Sequence, residues 1–254
     1  MDSTPFTGVG VALVTLFDAH GDVDYAATAE HAARLADLGV RAMIVAGTTG
    51  EVDALEDTER LRLFEAVRAA VPALPVVGGT GAASTRQARS LTSAARGTGV
   101  NAVLARSPRG VPDPTAYYQA VAEAAGDLPV LAYHFPAVAP PGIPLDILQR
   151  LPVAGCKDSS GDINRLLATV DRWRGTLYVG SAAILLAAGQ LGCAGAILAL
   201  ANAEPELCAA AFAGDGEAQL KLARSHFAAS DDFPRGIKRL VAGRFATSEA
   251  VRMG

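Results

Sequence analysis

The sequence predicts an α/β chain folded as a closed (β/α)8 barrel with a short C-terminal helical extension. Eight short apolar, β-branched runs, each followed by a stretch of helical period, fill residues 9–212 of the 254-residue chain. Each run is almost continuously hydrophobic, as parallel strands buried on both faces are. No composition break or Gly/Pro-rich linker divides the series, and eight units of this kind match the usual size of a barrel. A doubly wound sheet is the alternative for any βα repeat, but eight unbroken units favour closure.

The first predicted strand covers residues 9–16 and leads to a helix over 25–37 that ends before Gly39. A strand at 42–46 precedes a helix at 58–70 stopped by Pro72, and a strand at 76–79 precedes a helix at 85–96 ending at Gly97. Strands at 102–105 and 130–133 lead to helices at 115–125, closed by Gly126, and 145–151, closed by Pro152. The last three pairs are strand 153–157 with helix 163–173, strand 177–180 with helix 183–191, and strand 195–199 with helix 205–212. Asp or Ser near the starts and Gly or Pro near the ends supply caps and stops. Two further helices, 217–229 and 235–245, make an extension over 215–254 expected to pack on the outside of a 1–214 barrel.

Composition excludes several partners. A net charge of −4 argues against nucleic acid or an anionic membrane surface. Three cysteines give no disulfide framework and point to a reducing cytoplasm. The opening Met-Asp-Ser-Thr-Pro lacks the basic flank and apolar core of a secretion leader. The most apolar stretch, 182–200, is broken by Gln190 and by Gly189, Gly192 and Gly195, so no membrane span is expected.

Of 22 basic residues only Lys157, Lys221 and Lys238 are lysines. Lys221 and Lys238 lie in helical segments with polar neighbours and read as solvated surface residues. Lys157 closes the apolar strand Val153-Ala-Gly-Cys156 at the end where a barrel places its chemistry. Burial there disfavours the ammonium and favours the neutral amine that attacks a carbonyl; the competing reading is a structural lysine paired with Asp158 or another acid. Tyr133 ends the preceding strand, where a phenol next to an amine can move protons.

Gly47-Thr48-Thr49-Gly50 follows the second strand, with hydroxyls and backbone amides suited to a carboxylate. Gly78-Gly79-Thr80-Gly81 matches neither a P-loop nor a dinucleotide fingerprint and reads as packing at the barrel rim. The histidines at 20, 31, 134 and 226 form no His-x-x-x-His pair and have no Cys-x-x-Cys partner, so no zinc site is expected. Glu51, Asp158 and Asp162 are the carboxylates that a Mg²⁺-dependent alternative would use. Cys156 should point away from Lys157 as a packed thiol. His134 is either a substrate contact or a hydrogen-bonded structural residue.

Together, Gly47-Thr-Thr-Gly-Glu51, Tyr133-His-Phe-Pro136, Gly155-Cys-Lys-Asp-Ser-Ser-Gly161 and Gly180-Ser181 resemble the dihydrodipicolinate synthase/N-acetylneuraminate lyase family. Val14-Thr-Leu-Phe17 and the pair Ala201-Asn202 fit the same pattern. The resemblance implies a TIM barrel and a class I aldolase that holds pyruvate as a lysine Schiff base, with neither metal nor cofactor, usually as a homotetramer or dimer. It assigns the imine to Lys157, proton relay to Tyr133 and a link to the Tyr133 hydroxyl to Thr48. Thr49 would hold the pyruvate carboxylate. Gly47, Ser159, Gly180, Ser181, Ile197 and His134 complete the expected substrate-binding set.

Two departures bear on the second substrate. Synthases of the lysine pathway resemble Tyr-Asn-Val-Pro-x-Arg after the fifth strand, whereas this chain has Tyr133-His134-Phe135-Pro136-Ala137-Val138. They also carry a tyrosine pair after the fourth strand, where Ser107-Pro108-Arg109-Gly110 stands here. An anionic partner left without its cation is costly to bind. The resemblance therefore implies a pyruvate-dependent aldolase or lyase acting on a 2-oxo acid of the 4-hydroxy-2-oxoglutarate or 2-keto-3-deoxy-sugar-acid type. Arg106 or Arg109 is a candidate for a replacement distal anion contact. The alternatives are 4-hydroxy-tetrahydrodipicolinate synthase and a non-catalytic keto-acid-binding protein. The helical tail is also shorter than is usual for the family, which leaves assembly open.

Overall fold

A computed structural model describes residues 4–253; residues 1–3, where the leader reading began, and residue 254, the last of the extension, lie outside the described residues. The strands are β1 (Gly8–Ala12), β2 (Met43–Val45), β3 (Val76–Gly79), β4 (Ala102–Arg106), β5 (Val130–His134), β6 (Gly155–Asp158), β7 (Thr176–Val179) and β8 (Gly195–Leu198). They pair in sequence order, every neighbour parallel, and β8 returns to β1 to close the barrel. Between and after them run α1 (Tyr25–Asp37), α2 (Asp57–Ala70), α3 (Thr85–Ala95), α4 (Thr115–Ala125) and α5 (Leu145–Leu148). The series continues with α6 (Ile163–Arg172), α7 (Leu185–Gln190), α8 (Pro205–Phe212), α9 (Gly216–Ser230) and α10 (Arg235–Phe245).

Side-chain caps account for several helix starts. Asp24, Ser84, Asp162 and Asp215 each accept from a backbone N–H of the first turn, and Glu56 and Glu59 form a reciprocal capping box on α2. β1 stops four residues short of the predicted strand because polar side chains take over its backbone bonds. Asn202 Oδ1 accepts from the Val14 N–H at 3.1 Å while its Nδ2 donates to the Ala12 carbonyl at 2.7 Å. The Leu16 N–H then turns to Thr28 Oγ1.

Alternation along the strands separates two cores. Inward residues such as Ile44, Val77, Leu104, Leu131 and Ile197 fill the barrel, and Phe6 stacks on Tyr178 at 4.5 Å. Outward residues, Cys156 among them, pack beneath the helices. The glycine-rich end of β3 is a packing device, as read: a Cβ on Gly79 would lie 2.0 Å from the Ala46 carbonyl oxygen. No described helix is long and apolar enough to cross a membrane.

The reading of Lys238 as a surface residue is overturned. Its side chain is fully buried, 2.6 Å from an equally buried Glu51 carboxylate. The other Glu51 oxygen accepts from the backbone N–H groups of Arg252 and Met253, each at 2.8 Å. Arg252 then pairs with Glu59 and donates to the carbonyls of Gly21 and Ala54. The segment after α10 is thus strapped across the turn that follows β2. Polar neighbours in sequence hid this, because the charges that neutralise Lys238 and hold the strap come from the distant second βα unit. Lys221, by contrast, is exposed and pairs with Glu217 one turn away.

His31 of α1 is 1% exposed and packs edge-on against Phe245 of α10. Burial first, then repulsion from Arg34, pushes its pKa from 6.5 down to about 4. The unfolded chain therefore binds the extra proton first, and stability present above pH 6.5 is lost as the pH falls toward 4. Unfolding free energies from urea titrations at about pH 7 and about pH 4.5 should fall by about 2 kcal/mol more in wild type than in His31→Asn. Equal losses would remove His31 from the acid response.

Candidate active site

The carboxyl ends of the strands surround a cavity of about 520 Å³. Lys157 on β6 and Tyr133 on β5 are register partners, so two inward side chains meet side by side. The Lys157 Nζ lies 4.3 Å from the centre of the Tyr133 ring, and both residues are buried. Among the described residues no carboxylate lies within ion-pair distance of Lys157. Asp158, the expected acid for a structural lysine, points the other way: Arg165 donates to it at 2.6 Å and the Ser160 N–H at 2.9 Å.

Ala46 and Glu51, both with positive φ, bracket the turn Gly47–Gly50. Within it the N–H groups of Gly50 and Val52 donate to the Gly47 carbonyl, and that of Glu51 to the Thr48 carbonyl. The Thr48 and Thr49 N–H groups have no acceptor among the described residues, and both threonines line the cavity. Two free amides beside a buried amine make a nest for a carboxylate. Thr48 Oγ1 stands 3.3 Å from the Tyr133 hydroxyl.

Ser159, Gly180, Ser181 and Ile197 also line the cavity. Gly180 has a steric reason to be glycine: a Cβ there would fall 1.8 Å from Ser159 Oγ and 3.1 Å from Lys157 Cε. Gly47 stands just outside, shaping the turn. His134 is also outside the cavity wall; its Nδ1 accepts from the Ile143 N–H at 2.8 Å, and burial lowers its pKa. The structure therefore favours its hydrogen-bonded role over a substrate contact. Cys156 is fully buried in the outer core, where desolvation pushes its thiol pKa up.

Neither arginine candidate reaches the cavity wall. Arg109 is exposed, and Arg106 is held by Asp53 at 2.7 Å. The three carboxylates of the magnesium alternative are drawn apart by other partners: Glu51 by Lys238, Asp158 by Arg165, and Asp162 by the start of α6. No described cluster of three metal-ligating side chains exists.

Sequence reasoning missed part of the cavity wall. His226, Ala229 and Ser230 of α9, with Phe233 beyond it, line the cavity, so α9 covers part of the barrel mouth as well as packing against its outer surface. Phe135 and Ser160 line it too, Phe135 stacked on Tyr133 with ring centres 5.8 Å apart. The lone histidine in α9 was the only available signal, and nothing in the helix's own pattern shows which way it points.

The fold and this constellation define a (β/α)8 barrel protein with a buried, unpaired lysine and an anion-ready turn at its carboxyl end. The sequence profile of the dihydrodipicolinate synthetase family matches residues 5–233, and the chain belongs to that family. An uncharacterised DapA-like lyase from Halobacterium salinarum is 36% identical over 91% of this chain and 79% of its own. A 4-hydroxy-tetrahydrodipicolinate synthase from Natronomonas pharaonis is 34% identical over 85% of this chain and 78% of its own. Among solved structures, a dihydrodipicolinate synthase from Bacillus anthracis superposes with a TM-score of 0.87 at 28% identity, covering 98% of this chain and 91% of that one.

Proposed function

We propose that the protein is a cofactor-free, pyruvate-forming class I aldolase acting on a 2-oxo acid. The observation that carries the reading is the buried Lys157 amine, free of any acid partner, in one cavity with Tyr133 and the free Thr48 and Thr49 amides. The amides and the Thr49 hydroxyl receive the substrate carboxylate, setting its C2 carbonyl against the amine. The Lys157 amine adds to C2, the oxygen takes one proton from that amine and a second through Tyr133 and leaves as water, and a protonated imine results. That imine accepts the electron pair of the C3–C4 bond as the C4 hydroxyl loses its proton and becomes an aldehyde. The enamine left behind takes a proton at C3, and water returns Lys157 and pyruvate.

The wall beyond the imine supports the choice of substrate. Ser159, Ser160, Ser181 and Ser230 supply hydroxyls, and burial lowers the pKa of His226 beside them. Among the described residues no arginine lines the cavity. Such a wall suits the neutral hydroxylated tail of a 2-keto-3-deoxy-sugar acid better than the second carboxylate of 4-hydroxy-2-oxoglutarate or the charged end of aspartate semialdehyde. Family membership supports a homo-oligomeric assembly.

Pyruvate release from a panel of these 2-oxo acids tests the reading. Sugar-acid substrates should give the highest kcat/KM, and a chelator should leave the rate unchanged. A dominant condensation of pyruvate with aspartate semialdehyde would establish the synthase instead. Pyruvate binding without turnover of any member would favour the non-catalytic alternative.

A further inference from the structure

Arg106 closes β4 in register with Tyr133, so the two side chains leave adjacent strands together. Its guanidinium is aimed in two directions. Nη2 forms a two-pronged pair with Asp53, at 2.7 and 2.9 Å, and Nη1 donates to Thr48 Oγ1 at 3.3 Å. The same Thr48 oxygen lies 3.3 Å from the Tyr133 hydroxyl. Asp53, Arg106, Thr48 and Tyr133 therefore form one hydrogen-bonded line, drawn from three βα units of a single chain.

The line has a direction. A guanidinium only donates, so Thr48 accepts from Arg106, and the positive charge beside its oxygen favours the arrangement in which Thr48 gives its single hydrogen to the Tyr133 oxygen. In that arrangement the phenol's own hydrogen is free for the cavity that Tyr133 and Lys157 both line. Asp53 holds the guanidinium from the far side and keeps its second edge on Thr48. Hydrogen bonds with an ionised donor at one end polarise those that follow.

We propose that Arg106 is a positioning residue for the proton relay: it fixes the direction of the Thr48–Tyr133 hydrogen bond, steered by Asp53, and acts through Thr48 rather than on the substrate. The inference rests on the imine reading above, and its test separates the two. Two readouts are taken with pyruvate alone: the extent of borohydride trapping at saturation, which reports imine formation, and exchange of the pyruvate methyl hydrogens with heavy water, which needs the relay to turn over.

Wild type should show both. Arg106→Ala should keep its trapping extent and its half-saturating pyruvate concentration within about threefold, while saturated exchange slows about ten- to a hundredfold. Added guanidinium ion should recover part of that rate. Arg106→Lys, which keeps a charge beside Asp53, should fall between the two. Thr48→Val should lose as much as Arg106→Ala, and the double variant no more than either, since both break one line.

Exchange within threefold of wild type in Arg106→Ala overturns the proposal. So does a loss confined to pyruvate affinity, or additive losses in the double variant. If Arg106→Ala does not fold, Arg106→Lys and Asp53→Asn carry the same comparison, and unaltered exchange in both overturns it equally. Wild-type protein that is not trapped at all removes the imine reading itself, and this proposal with it.

Discussion

Lys157→Ala is expected to abolish turnover of every 2-oxo acid, by at least ~10³-fold in kcat, with little change in the thermal midpoint. In the proposed mechanism the amine is the nucleophile and the imine it forms is the electron sink, and no second lysine is placed to replace it. Lys221 is exposed on α9, and Lys238 is locked against Glu51. Lys157→Arg should be equally inactive, since a guanidinium stays charged and cannot form the imine. Stability should hold because the Lys157 amine has no acid partner to leave unpaired; removing it costs only packing against the Tyr133 ring. Retention of more than a tenth of wild-type kcat in either variant would mean that another group does the chemistry.

The second large effect falls on folding. Lys238→Met leaves the Glu51 carboxylate fully buried without its counter-charge, and breaking such a pair from one side costs about 3–5 kcal/mol. For a domain of this size that lowers the thermal midpoint by roughly 6–20 °C. Glu51→Gln should cost a similar amount, because it leaves the Lys238 ammonium buried without its counter-charge and turns an amide NH2 toward either Lys238 or the Arg252 and Met253 N–H donors. Because the strap holds the end of the turn Gly47–Gly50 through Glu51, Lys238→Met should also weaken pyruvate binding in the protein that remains folded. A midpoint within about 2 °C of wild type would show that the pair contributes nothing net.

The contrast among the three lysines marks what a sequence can and cannot convey. Strand order, closure and the neighbouring positions of Tyr133 and Lys157 were legible, because each follows from local hydrophobic runs read in order. Thr48 and Thr49 were legible for the same reason, lying directly after a strand. Lys238 was not: its burial depends on Glu51 and on the path of the segment after α10, which no local pattern encodes. The wall formed by His226, Ser230 and Phe233 was hidden likewise, since a helix periodicity gives a face but not what that face meets. His134 was left open because alternation places it opposite Tyr133, yet only the Ile143 N–H shows what occupies its ring nitrogen. The shortened β1 has the same origin, in an Asn202 side chain that reaches β1 from beyond β8.

The imine at Lys157 is the claim on which the proposed chemistry rests. It is tested most directly by incubating the protein with pyruvate, reducing with borohydride and mapping the modified peptide by mass. The account predicts one reduced pyruvyl group per chain, on Lys157, present in wild type and absent from Lys157→Ala. An unmodified wild-type protein, or an adduct on Lys221, Lys238 or the N-terminal amine instead, would contradict it.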